Sequence, residues 1–194
     1  MVLNPHHPNP ADRDNARRWA RELLALPNFY VLDTETTGVD LQAEVVQIGV
    51  VDKDGRTVLE TLVRPTRPIP PDVQAVHGIS DAMVQDKPTF ADLYAQLASL
   101  LAGMVLVAYN MDFDWRILQQ SGTPYGLPAL RPKALHCAMK QYAAFWGHKK
   151  LGYADYRWHK LGEAAAQQGI VVRDAHSALG DVRMTLALIR KMAE

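Results

Sequence analysis

Between residues 29 and 63, three apolar runs rich in β-forming residues stand in a row: Phe29–Asp33, Glu44–Asp52 and Thr57–Val63. Lys53-Asp54-Gly55 supplies turn residues between the second and the third. Strands joined by short turns return antiparallel, because parallel neighbours need a crossover of roughly a dozen residues or more. The chain therefore opens its sheet as a meander. Pro65, Pro68, Pro70 and Pro71 follow and impose an extended connector. Beyond them the pattern changes. Thr89 and Asp92 form a capping-box signature ahead of a helix from Phe90 to Ala102, with Gly103 as its stop. A strand over Met104–Ala108, a helix from Asp112 to Gln120, a short strand near Ala134 and a helix from Cys137 to Trp146 come next. A helix through Ala164–Gln168 and a closing helix over Ser177–Met192 complete the chain. A meander followed by β-α-β-α alternation predicts an α/β fold with a mixed sheet flanked by helices.

Ahead of the meander, Asn9-Pro10 reads as a helix start, and Ala16, Trp19, Ala20, Leu23 and Leu24 recur at helical spacing until Pro27. Residues 1–27 are thus expected to be a helical extension packed on a domain spanning 28–194. A chain of 194 residues accommodates one such domain with a short appendage. Its single cysteine, Cys137, excludes an intramolecular disulfide and fits a reducing interior. The N-terminus lacks the charged start and apolar stretch of a signal peptide. The longest apolar run, Leu97 to Tyr109, is interrupted by Ser99 and Gly103 and is too short to span a bilayer. A cytoplasmic protein with no membrane partner is the expectation.

The formal net charge is zero, but the charges are segregated. Asp33 to Glu60 holds seven acidic residues against Lys53 and Arg56, a net of −5. Arg131 to Lys160 holds seven basic residues against Asp155 alone, a net of +6. One part of the chain is suited to cations and another to phosphates.

Three segments carry candidate chemistry. Asp33-Thr34-Glu35 directly follows the strand Phe29–Leu32, and residues two apart on a strand share a face. Two carboxylates that close repel unless one is protonated or a cation lies between them, and Mg²⁺ and Mn²⁺ favour such oxygen donors. Asn110–Asp114 lies where a strand meets a helix, the place where α/β sheets bind ligands. Asp112 and Asp114 compete there, since they lie about 200° apart around a helix and only one can face a site. In His176-Ser177-Ala178-Leu179-Gly180-Asp181, His176 precedes the last helix and Asp181 sits near its start.

Taken together, these residues resemble the DnaQ-like, or DEDDh, 3′–5′ exonucleases. Asp33-Thr34-Glu35-Thr36-Thr37-Gly38, Gln47-Ile48-Gly49, Val76-His77-Gly78-Ile79-Ser80, Asn110-Met111-Asp112-Phe113-Asp114 and the His176–Asp181 segment all look like family segments in the family's order. The resemblance runs from about Phe29 to the C-terminus. It implies a ribonuclease-H-like five-stranded sheet whose first three strands are antiparallel. It also implies that Asp33, Glu35, Asp114 and Asp181 bind two divalent ions, Mg²⁺ or Mn²⁺, and that His176 is the general base; Asp114 is thereby selected over Asp112. Thr36, Thr37, Gly38, His77, Asn110 and Phe113 are expected to border the terminal nucleotide. Phe113 has a competing assignment as a core side chain. Tyr109 departs from the pattern, standing where many members have histidine.

The implied chemistry is hydrolysis of the phosphodiester at a 3′ end, with two ions about 4 Å apart activating water and stabilising the leaving oxygen. Single-stranded DNA or a DNA 3′ end is the expected substrate, in repair or proofreading and with a DNA polymerase or repair protein as a candidate partner. RNA trimming and an inactive scaffold are the rival readings. Tyr142, Trp146, Tyr153, Tyr156 and Trp158 interleave with the basic residues from Arg131 to Lys160. Such a stretch either stacks bases and tracks phosphates or fills a small core of its own.

Overall fold

Residues 9–149, 155–171 and 177–194 are described by the computed structural model, and the elements below lie among them. The meander forms as expected: β1 (Tyr30–Thr36), β2 (Val45–Asp52) and β3 (Thr57–Leu62) pair antiparallel in sequence order. β4 (Val105–Ala108) then adds parallel to the other edge of β1, and β5 (Ala134–Cys137) adds parallel to β4. The order β3-β2-β1-β4-β5 puts β1 at the centre of a five-stranded ribonuclease-H-like sheet, where antiparallel pairing gives way to parallel.

β1 runs further than its apolar residues suggest. Pairing with β2 continues through Thr36↔Val45, so Asp33 and Glu35 lie within the strand rather than after it. Backbone pairing, not side-chain polarity, sets that boundary.

Side chains alternate across the sheet and build two cores. Val31, Val51, Val105 and Val107 join one cluster with α1 (Pro10–Leu24), α6 (Ala138–Trp146) and α8 (Ala178–Ala193). Leu32, Ile48, Val50, Leu106 and Ala108 join the other with α4 (Phe90–Leu101) and α5 (Met111–Gly122). β4 is buried along its whole length, as a strand covered on both faces must be. α1 enters the first cluster through Ala16, Ala20 and Leu23, and Asn9 caps it by accepting from the Ala11 amide at 3.2 Å. The capping box of α4 is present, with Asp92 accepting from the Thr89 amide at 2.8 Å.

The proline connector is shorter than expected. Pro71 opens a helix, α2 (Pro71–His77), and Gly78 ends it in the left-handed region at φ 74°. Proline suits the first helical position because its missing N–H has no partner to make there, and glycine adopts positive φ without strain. α3 (Asp81–Val84) follows, and α7 (Leu161–Gln167) precedes α8. No helix among the described residues is long and apolar enough to cross a membrane.

Candidate active site

Alternation along β1 divides its polar residues between the two faces. Asp33 and Glu35 share the face of Val31, which packs with α8, whereas Thr34 points to the α5 side. Each carboxylate meets an acidic partner brought by a helix.

α8 supplies Asp181, and β2 determines where that helix can sit. Gly49 pairs with Asp33, and a Cβ at Gly49 would lie 2.7 Å from the backbone carbon of Ala178. The absence of a side chain lets the first turn of α8 rest directly on β2. Gln47, paired with Glu35, accepts from the Ala178 amide at 3.1 Å, and Ser177 caps the helix by accepting from the Gly180 amide at 3.1 Å. Asp181 lies one turn on. The carboxylates of Asp33, Glu35 and Asp181 each offer an oxygen within 4.8 Å of the others.

α5 supplies Asp114. It is buried, and its carboxylate accepts from the Thr34 amide at 3.0 Å and the Thr34 hydroxyl at 2.9 Å. Asp112 faces solvent and pairs with Lys140. The two aspartates that the sequence left in competition thus point apart, and it is Asp114 that reaches β1.

Crowding and burial disfavour the charged forms of these acids. Burial raises the Asp33 carboxyl well above its ordinary value, and Asp114, Asp181 and Glu35 add to the effect. Burial, then Asp181 and Asp114, lift Glu35 to about 7. Asp114 is also raised to about 7 by burial, although the hydroxyl and amide of Thr34 pull the other way. The donors are all carboxylate oxygens, the set that Mg²⁺ and Mn²⁺ prefer, and a divalent cation would offset the repulsion.

The loop after β1 is held from several sides. Thr37 donates its amide to the Glu44 carbonyl at 2.8 Å and accepts the Glu44 amide on its hydroxyl at 2.9 Å. Thr36 donates its hydroxyl to the Gly38 carbonyl at 2.6 Å. His77, the last residue of α2, accepts from the Ile79 amide on Nδ1 at 3.0 Å and thus carries its proton on Nε2, which donates to the Thr36 carbonyl at 3.2 Å. Burial lowers its pKa, which keeps it in this neutral form. Asn110 precedes α5, and Phe113 is half-buried against the second core with the Arg116 guanidinium 5.4 Å from its ring centre. His176 lies outside the described residues.

Thr34, Gln47 and Gly49 have structural work that the sequence reading did not assign to them. Gln47-Ile48-Gly49 was visible as a motif, but only the contact with α8 gives it a purpose.

A family model for exonucleases of the RNase_T type matches residues 30–189. The chain belongs to the DnaQ-like exonucleases. It is a nuclease by family, and it is 39% identical over 193 residues to an uncharacterized exonuclease, CP81, of Escherichia phage 186, with 96% of each chain covered. It is 33% identical to the DNA polymerase III subunit epsilon of Treponema pallidum, covering 84% of this chain and 75% of that protein. Among solved structures, exonuclease X in complex with 5′ overhanging duplex DNA matches with a TM-score of 0.61 and 32% identity over 84% of this chain and 90% of that one.

Within this exonuclease, Tyr109 acts as a tether. Its buried hydroxyl donates to the His159 carbonyl at 2.7 Å, tying the segment before α7 to the β4–α5 junction.

Proposed function

We propose that this exonuclease hydrolyses DNA from the 3′ end, single strands preferred, and releases nucleoside 5′-monophosphates with two Mg²⁺ or Mn²⁺ ions. The observation that carries the reading is the cluster of Asp33, Glu35 and Asp181, with oxygens within 4.8 Å of one another beside a hydrogen-bonded Asp114. The DNA in the exonuclease X complex and the polymerase subunit among the relatives support DNA as the substrate.

Asp33, Glu35 and Asp181 would hold one ion, with Asp33 shared and Asp114 supporting the second. Divalent cations bound there neutralise phosphate charge and acidify water. Thr34 fixes the Asp114 carboxylate by donating two hydrogen bonds to its Oδ1. His176, adjoining the capping Ser177 in sequence, accepts the proton of the attacking water; an unperturbed imidazole, with a pKa of about 6.5, suits that task near neutrality. Thr36, Thr37, Gly38, His77, Asn110 and Phe113 border the terminal nucleotide. In this role the neutral His77 orders the loop rather than binding metal.

The test follows 5′-labelled single-stranded DNA, matched RNA and duplex with Mn²⁺ or EDTA. A metal-dependent ladder of shortening strands, faster on DNA than on RNA, is expected. In the same assay His176→Ala should be slower by about 100-fold or more. Faster trimming of RNA would overturn the substrate assignment, and a wild-type rate in the histidine variant would overturn the proton acceptor.

A further inference from the structure

Five aromatic residues interleave with the basic stretch of the sequence, and the structure separates their tasks. Tyr142 is buried, stacks on Trp146 with ring centres 6.2 Å apart, and donates its hydroxyl to Gln167 at 2.8 Å. Trp146 packs against the first core. Tyr156 is half-buried, donates its hydroxyl to Asp12 of α1 at 2.6 Å, and has the Lys149 ammonium 5.6 Å from its ring centre. Tyr153 lies outside the described residues. Trp158 differs from these, with 55% of its surface exposed. Leaving a large aromatic surface in water is unfavourable unless something covers it.

Its neighbours are cationic and its backbone is held. Arg157 and Lys160 are exposed on either side, while His159 between them is 2% exposed and pairs through Nδ1 with Glu163 at 2.9 Å. The Arg157 amide donates to the His148 carbonyl at 2.7 Å, and Lys149 bridges Tyr156 in antiparallel fashion. Tyr109 holds the His159 carbonyl from the β4–α5 junction, five residues before Asp114. Summed along that path, Trp158 stands at most about 35 Å from Asp114. A strand of about ten nucleotides covers that span even at the duplex spacing of about 3.4 Å per nucleotide.

The geometry points to Trp158, with Arg157 and Lys160, as a contact for the single-stranded stretch upstream of the scissile 3′ end: Trp158 stacks on a base and the two cations track its flanking phosphates. A stacked base is covered without sequence preference, since every base presents a π-face. This inference rests on the nuclease reading above but is separable from it by experiment.

Full-length wild type, Trp158→Ala, Trp158→Phe and Arg157→Ala/Lys160→Ala would be compared in two assays. Anisotropy of a fluorescein-labelled thymidine decamer, in EDTA, measures binding alone. Hydrolysis with Mn²⁺ compares the unlabelled decamer with the p-nitrophenyl ester of thymidine 5′-monophosphate, which carries no upstream nucleotide. Trp158→Ala should weaken decamer binding about tenfold and raise its KM with little change in kcat, leaving the ester unaffected. Trp158→Phe should retain most of the binding, and the double variant should lower the salt slope of log affinity by about 1.4. Decamer binding unchanged by Trp158→Ala would overturn the contact, as would equal losses on decamer and ester. Wild type that hydrolyses neither substrate would sink the nuclease reading alone, because anisotropy still decides the contact.

Discussion

Asp33, Glu35 and Asp114 are acids held in a setting that disfavours their charge, and the consequence is measurable without substrate. A carboxyl whose pKa is higher in the folded chain than in the open one stabilises the fold at low pH. That contribution is present below its ordinary value near 4 and is lost as pH rises through about 7, the value reached by Glu35 and Asp114. With EDTA present, the thermal midpoint should therefore fall between about pH 5 and pH 8. Asp33→Asn should flatten that fall, and Mn²⁺ should raise the midpoint more at the higher pH. A wild-type slope matching that of Asp33→Asn would show that the repulsion is absent. At this scale the sequence was informative about residue identity and silent about partners. Asp33-Thr34-Glu35 displays its two carboxylates by strand alternation alone, whereas Thr34 holding Asp114 joins residues 80 apart and follows only from the fold.

Among the elements, the junction of β2 and α8 matters most to the site. Gly49 is the point where helix and sheet touch, and any side chain there must displace the backbone of Ala178. Gly49→Ala should cost about 1–3 kcal/mol of stability by overpacking. It should also lower kcat more than about tenfold, because a small misplacement of a reacting group is expensive in rate. The measurement is kcat at a temperature where circular dichroism shows the variant folded; an unchanged kcat would mean that Asp181 does not depend on this contact. Elements with strong local signals were legible in the sequence: the capped α1 and α4, the meander and the buried β4. α2 was not, since four prolines in seven residues read as extended chain until Pro71 is recognised as a first helical residue and Gly78 as a stop. The limits of β1 were also hidden, because hydrogen bonding to β2 extends it past its apolar residues.

Across the whole molecule, the sheet order brings together residues from three distant parts of the chain. β1 at the centre carries Asp33 and Glu35, α8 docks on one face with Asp181, and α5 approaches from the other with Asp114. α1 braces the α8 side by burying Ala16, Ala20 and Leu23 in the same core. We propose this convergence as the centre of a metal-dependent 3′–5′ exonuclease. Its most direct test is the rate at which a 5′-labelled DNA strand shortens in excess Mn²⁺, for wild type and Asp33→Ala side by side. A ladder from wild type, with none from a folded Asp33→Ala protein, is the predicted result. An equal ladder from both proteins would contradict the account.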